Sequence, residues 1–225
     1  MRPTSCAPVT VLRAGLEVAM GRERSAAEYR AALAEALAST ERLARLADDL
    51  LTLARLDAAA APRAVELVDL SEVMHELADV SAERAAQHQV TVNVTTSPGL
   101  LVAGNAGDLY RLFNNLIDNA LRHGANSPPG EIALSAQWEA ERIHVSVADS
   151  GPGIAPQDLA RIFDRFRRGQ TGSADATGVG LGLSIAQEIA RTHGGQIAAV
   201  NREGGGCVVT VSLPAACDSL QLPAP

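Results

Sequence analysis

The apolar residues of this chain recur with two different periods, and the change from one to the other near residue 60 divides it in two. In residues 26–57, Leu33, Leu37, Leu43, Leu46, Leu50, Leu53 and Leu56 return at threes and fours. Glu35, Glu41, Arg42, Arg45 and Asp49 occupy other faces, which predicts an amphipathic bundle helix. A shorter Ala/Leu/Val-rich stretch at 8–20 precedes it across a charged break at 21–25, so the two read as a helical hairpin. An isolated hairpin buries little, and pairing of two copies into a four-helix bundle is its natural completion. The segment AAAAPRA at 58–64 ends the helical pattern, because Pro62 cannot continue it. The expected layout is a helical hairpin over 1–60, a second domain over 61–216 and a frayed tail over 217–225.

Beyond Pro62 the pattern mixes periods. Residues 65–68 read as a short strand, and Asp69 with Glu72 forms a capping-box-like start to a helix reaching about Gln87. Val90, Val92 and Val94 alternate with Thr91, Asn93 and Thr95 as a half-buried strand, with 100–103 expected as its neighbour. Asn105 can cap a helix over 106–123. Strands at about 131–138 and 142–148 follow, joined by a polar turn at 139–141, and then a short helix after Asp149. A charged, Gly-rich stretch (165–177), a helix over 179–193 and closing strands near 196–201 and 207–213 complete the chain. Helices and antiparallel strands in blocks predict an α+β class: the hairpin, then an α/β sandwich with one mixed, mainly antiparallel sheet carrying helices on one face.

Composition narrows the function. A net charge of -7 and a pI near 5.2 argue against a broad nucleic-acid-binding surface, which needs clustered cations. All 19 basic residues are Arg, so any cation that meets a phosphate here is Arg or His. Cys6, Cys207 and Cys217 fit no metal-ligand spacing and leave an odd thiol, which points to a reducing cytoplasm. No apolar run approaches the ~20 residues that cross a bilayer, and the start lacks a signal peptide's apolar stretch. A soluble chain is expected, with a parent protein that could be membrane-anchored.

Three segments carry the chemistry. In FNNLIDNALRHG (113–124), Asn115 and Asn119 lie four apart on one helix face, and their carbonyls suit a hard cation such as Mg²⁺; a solvated helix face would look the same. Arg122, one turn on from Asn119, can reach a phosphate or simply offset the helix dipole. In DSGPGI (149–154), Gly151 and Gly153 permit a tight turn beside Asp149. A carboxylate accepts only, so it pairs with adenine's exocyclic amine and repels a keto oxygen; a plain turn is the simpler alternative. In GVGLGLSIAQ (178–187), Gly178, Gly180 and Gly182 open a helix whose backbone N–H groups suit phosphate oxygens. Dinucleotide binding would require a strand immediately before the glycines, and the preceding GQTGSADAT is not one.

In order and spacing these segments resemble the N, G1 and G2 boxes of the ATP-binding domain of sensor histidine kinases, within the Bergerat-type ATPases. The resemblance covers about residues 8–214. It implies binding of ATP with Mg²⁺ through Asn115, Asn119, Arg122, His123, Asp149, Gly151, Gly153, Ile154, Phe166, Gly178, Val179, Gly180, Leu181, Gly182 and Leu183. Asn119 is then the metal ligand with Asn115 as helper, and Asn115 and Arg122 serve catalysis. It also implies that 165–177 is a nucleotide lid, that IFDRF (162–166) is an F box whose Phe163 and Phe166 anchor that lid, and that the hairpin is the dimerisation element. His123 stands where Tyr is common and reads as packing or edge contact, and Cys207 stands where Thr is frequent, which questions one adenine-side contact.

The resemblance fails at one place. Aligning Pro8 with the proline of the family's H box puts Pro3 at the phospho-accepting histidine, Thr4 at its acidic neighbour and Ala7 at the phosphatase-assisting position. No histidine precedes His75. Proline has no basic nitrogen to attack phosphorus, so self-phosphorylation at the usual place is excluded and residues 1–7 read as a truncated or rearranged start. The expected function is a protein-histidine kinase catalytic region acting on an intact kinase in trans, with a homodimer and a response regulator as partners and no nucleic acid. The alternatives are a non-catalytic dimerising pseudokinase and an anti-sigma-type serine kinase; the hairpin argues against the latter.

Overall fold

A computed structural model of the chain describes residues 7–57, 64–124, 130–167 and 180–216. They fall in two compact units, Met1–Ala54 and Arg55–Pro225.

The first unit holds α1 (Ala7–Met20) and, as far as Ala54, α2 (Ala26–Asp57). Ser25 starts α2 with a reciprocal cap: its Oγ accepts the Glu28 N–H at 3.3 Å, and Glu28 Oε2 accepts the Ser25 N–H at 2.8 Å. Those bonds hold the Glu28 carboxyl below its usual pKa. Val11, Leu12 and Leu16 of α1 face Ala32, Ala36 and Ser39 of α2. Small residues therefore line the α2 side of the hairpin's seam, while Leu33 and Leu37, about 100° further round the helix, are 63% and 61% exposed. Along this part of the helix the leucine stripe is therefore open to solvent.

The second unit is built on the sheet β2-β4-β5-β7-β6, formed by Val90–Thr96, Gly130–Glu139, Arg142–Asp149, Cys207–Pro214 and Gln196–Asn201 respectively. Only the β2–β4 pair is parallel, with Val90 opposite Gly130. Alternation decides its faces: Ile132, Leu134, Ile143, Val145, Val147, Val209, Val211 and Leu213 are buried, whereas Ser146 and Thr210 pair by hydroxyl contact on the other face at 2.9 Å. Helices α3 (Leu70–Gln87), α4 (Ala106–Gly124) and α6 (Gly182–Thr192) lie against the sheet, and α5 (Pro156–Leu159) is one short turn. Met74, Leu77, Leu112, Phe113, Leu116, Ile117, Ile185 and Ile189 complete the core.

Caps place the site-bearing helices. Asp69 opens α3 by accepting the Ser71 N–H at 2.8 Å, and Asn105 Oδ1 opens α4 by accepting the Asp108 N–H at 3.0 Å. The Asn105 N–H donates to His193 Nε2 at 3.2 Å, so the end of α6 is tied to the start of α4.

Two expectations are corrected. Leu100–Ala103 was expected to neighbour the 90–95 strand; the strand found there, β3 (Leu101–Gly104), pairs antiparallel with β1 (Glu66–Asp69) in a separate two-stranded sheet. Alternation tells which side of a strand is buried and not which strand lies beside it; here the Leu70 N–H donates to Leu100 O and draws the segment to β1. The helix expected from 179 starts at Gly182, because Gly180 has φ +79 and cannot belong to a right-handed helix. Among the described residues no helix is long and apolar enough to cross a membrane.

Candidate functional site

Asn115, Asn119 and His123 form one i, i+4 row along α4, about 12 Å from end to end. At its first end, Asn115 lies beside the start of α6: a Cβ on Gly182 would stand 3.8 Å from Asn115 Cγ and Oδ1. Among the described residues the buried Asn115 Nδ2 has no hydrogen-bond partner, a condition that native structures rarely leave uncorrected by a ligand or water. The buried Leu181 occupies the N-cap position of α6, and no side chain caps that turn. Leu183 follows in the same turn, half-buried. Uncapped backbone N–H groups and an orphaned amide thus meet at one place, an arrangement suited to an anion.

The approach to α6 is held from below. Gly180 packs so closely on Arg167 that a Cβ there would stand 2.5 Å from the Arg167 carbonyl oxygen, and the Phe166 N–H donates to Gly180 O at 3.0 Å. Arg167 Nη2 in turn reaches the buried Asp158 Oδ1 at 2.5 Å.

At the other end of the row is the turn after β5. Asp149 is 6% exposed, and its Oδ1 accepts the Gly151 N–H at 2.8 Å and the Cys207 N–H at 3.3 Å. Both described bonds to the carboxylate thus use Oδ1. Arg202 Nη1 donates to the Asp149 main-chain carbonyl at 3.3 Å rather than to the carboxylate. Glycine is required twice here. A Cβ on Gly151 would stand 2.5 Å from the His123 carbonyl, and one on Gly206, at φ +90, would collide with the Asp149 carbonyl oxygen.

The electrostatics follow from this packing. Crowding around His123 desolvates its cation and pushes its pKa below the ordinary imidazole value, with Asp149 pulling it up and Arg122 pushing it down, although the residue is exposed by area. Burial, and then the Asp149 charge, raise the Cys207 thiol to about 11, so it is neutral. Cys207 meets Asp149 through its backbone N–H and not through its thiol.

The fold therefore gathers Asn115, Gly180, Leu181, Gly182 and Leu183 at one end of the α4 row and His123, Asp149, Gly151, Gly153 and Ile154 at the other. Asn119 stands between them, and Arg122 is exposed near the helix end. The Phe166 ring is 60% exposed on a residue at φ +61, and the Arg167–Asp158 pair and main-chain bonds hold the segment beside it. Pro3, Gly178 and Val179, and most of the expected lid, lie outside the described residues. Asn201, Gly206, Asp158 and Arg167 escaped sequence reasoning. Only the GGG run at 204–206 carried a signal, and it indicated a turn rather than support for the site.

Residues 104–216 match the family described as histidine kinase-, DNA gyrase B-, and HSP90-like ATPase. A probable sensor histidine kinase of Mycobacterium tuberculosis (strain CDC 1551 / Oshkosh) is 35% identical over 213 residues, 95% of this chain and 54% of that protein. The sensor protein QseC of Escherichia coli O157:H7 is 35% identical over 208 residues, 91% of this chain and 44% of that protein. The chain thus spans about half the length of the curated relatives it matches. Full-length ShkA, crystallised with AMPPNP, shares its fold with a TM-score of 0.72 at 25% identity, over 95% of this chain and 46% of that one. Family match, kinship and fold agree: the chain belongs to the histidine kinase-, DNA gyrase B- and HSP90-like ATPases, as a sensor histidine kinase catalytic region.

Proposed function

We propose that this region binds Mg²⁺-ATP between α4 and the turns at Asp149 and Gly182, and that it transfers the γ-phosphoryl group to a histidine of another chain. The observation that carries the reading is the unpartnered Asn115 amide beside the uncapped start of α6. Triphosphate oxygens are acceptors that would satisfy both. Asp149 Oδ2 accepts the adenine amine, and Gly151, Gly153 and Ile154 shape the turn beneath the base. Asn119, helped by Asn115, offers the hard carbonyl oxygen that Mg²⁺ takes. When bound, the ion neutralises charge on the phosphates. Asn115 and Arg122 act on the phosphates and His123 lines the edge of the site. Gly178, Val179 and Phe166 are assigned to the same site from the sequence.

The acceptor is assigned to another chain because Pro3 stands where the family's H box carries its histidine. Transfer forms an N–P bond to that imidazole as the bond from Pγ to the ADP oxygen breaks. A response regulator is the onward partner, and the region works in the cytoplasm, attached to a membrane-anchored parent. The exposed Leu33, Leu37, Leu50 and Leu51 on α2, with Val11 and Val18 on α1, support a homodimer through the hairpin. The missing acceptor also favours a second reading, a dimerising pseudokinase that binds nucleotide without transfer.

Labelled ATP separates these readings. Incubation with a histidine-bearing homologue is expected to give an acid-labile, base-stable label on the homologue and none on this chain. Label on this chain would refute transfer in trans only, and nucleotide binding with no label anywhere would select the pseudokinase. Absence of calorimetric heat with Mg²⁺-AMPPNP would end the nucleotide reading.

A further inference from the structure

The turn after β5 must present Asp149 and Ile154 in a fixed geometry, yet residues 150–155 belong to no helix or strand and include two glycines. Its near end is pinned to the sheet: the Ser150 N–H donates to Glu131 O at 3.1 Å, and the Glu131 N–H donates to Ser150 Oγ at 2.8 Å. Among the described residues, its far end is held by one side chain. Asn201, the last residue of β6, accepts the Ile154 N–H on Oδ1 at 2.8 Å and donates from Nδ2 to the Ile154 carbonyl at 2.6 Å. Its Oδ1 also stands 3.0 Å from where a Cβ on Gly153 would be, at φ +77.

We infer that Asn201 is the positioning residue of the adenine-side turn, its carboxamide holding Ile154 and through it the 149–154 segment in binding geometry. This rests on the nucleotide reading above. A carboxamide presents one acceptor and one donor in a plane, as a peptide group does, so Asn201 gives Ile154 the partner that a neighbouring strand would supply. No other natural side chain of this length does both: Asp lacks the donor, Ser and Thr lack the reach, and Leu lacks both functions. The amide orientation is set by the same pair of bonds, since the reverse would oppose N–H to N–H and O to O. Asn201 acts through the turn's backbone, so its effect is on ligand geometry and not on the reacting atoms.

The test uses the whole chain with Asn201→Ala, which removes both bonds, and Asn201→Asp, which keeps the acceptor and sets a carboxylate against the Ile154 carbonyl. Calorimetry is expected to show the Kd for Mg²⁺-AMPPNP rising about tenfold in each variant, from loss of roughly one to two net hydrogen bonds' worth of organisation. The Kd for ADP should rise by the same factor, because the defect is on the base side. Transfer to a histidine-bearing homologue should lose in KM and keep its kcat at saturating ATP within about twofold. A merely structural role would lower Tm without moving the Kd of the folded protein. Should the Ala variant not fold, the Asp variant gives the reading; failure of both to fold would make Asn201 a stability residue and overturn the inference. Folded variants with a Kd within twofold of the unaltered chain also overturn it. If the unaltered chain itself binds no AMPPNP, the nucleotide reading falls and takes this inference with it.

Discussion

Asp149→Asn separates the two jobs of one carboxylate. The amide oxygen can stay where Oδ1 is and go on accepting the Gly151 and Cys207 N–H groups, so the turn keeps its internal bonds. The atom facing the ligand changes from acceptor to donor, and an NH₂ then opposes the adenine amine. Loss of a hydrogen bond to a charged acceptor costs about 1.5–3 kcal/mol, and a donor left facing a donor adds to that. A total near 3 kcal/mol corresponds to about a 100-fold rise in Kd for Mg²⁺-AMPPNP. Unliganded stability should move the other way or not at all, because a carboxylate only 6% exposed, with Arg202 on its carbonyl and not on the carboxylate, becomes a neutral amide. Calorimetry gives the Kd and thermal unfolding gives the stability. In a Cys6→Ser, Cys217→Ser background, thiol titration should show Cys207 falling part-way from about 11, since burial remains while the Asp149 charge is gone. Undiminished affinity would refute the argument, and so would loss of stability and affinity together, which would make Asp149 a structural residue.

Other outcomes follow from the same geometry. Gly206→Ala places a methyl against the Asp149 carbonyl at φ +90; steric strain of about 2–3 kcal/mol should lower Tm by roughly 4–10 °C on thermal unfolding. His123 has its folded pKa depressed, so the unfolded chain binds the proton first. Stability should fall as pH drops below the unfolded value of 6.5 and level off below the folded one, and His123→Gln should flatten this part of a pH series of denaturation curves. Leu37→Glu, on the exposed side of α2, should leave the ATP domain's Tm unchanged and shift the chain to monomer in light scattering; an unchanged dimer would place the interface elsewhere.

Periodicity and local chemistry made much of the fold readable. The helices α1, α2 and α4, and the hairpins β4–β5 and β6–β7, lie within a residue or two of their expected limits, because Leu spacing, Asn105 and the turn residues act over short range. The Ser25–Glu28 cap was equally local and went unread inside the charged break. The partner of β3 was not readable, since its pairing with β1 depends on bonds across α3. On α2 the spacing marked the leucines, while the residues that line the groove facing α1, Ala32 and Ala36 among them, carried no signal of their own. Within the site, the residues proposed to touch nucleotide belong to short motifs with fixed spacing. Asn201 meets Ile154 across a sequence separation of 47 residues, a contact that no local pattern encodes.

The parallel pairing of β2 with β4 has a kinetic consequence. Val90 reaches Gly130 only after the chain has laid down β3 and α4, so this edge of the sheet closes by a crossover and not by a hairpin. The closure entropy of that long connection is repaid only when α4 settles on the sheet. The helix carrying Asn115 and Asn119 is therefore expected to dock in the same event that registers the edge strand. Amides in the middle of α4 should accordingly be among the slowest in the domain to exchange with deuterated solvent, opening only when the whole sheet does.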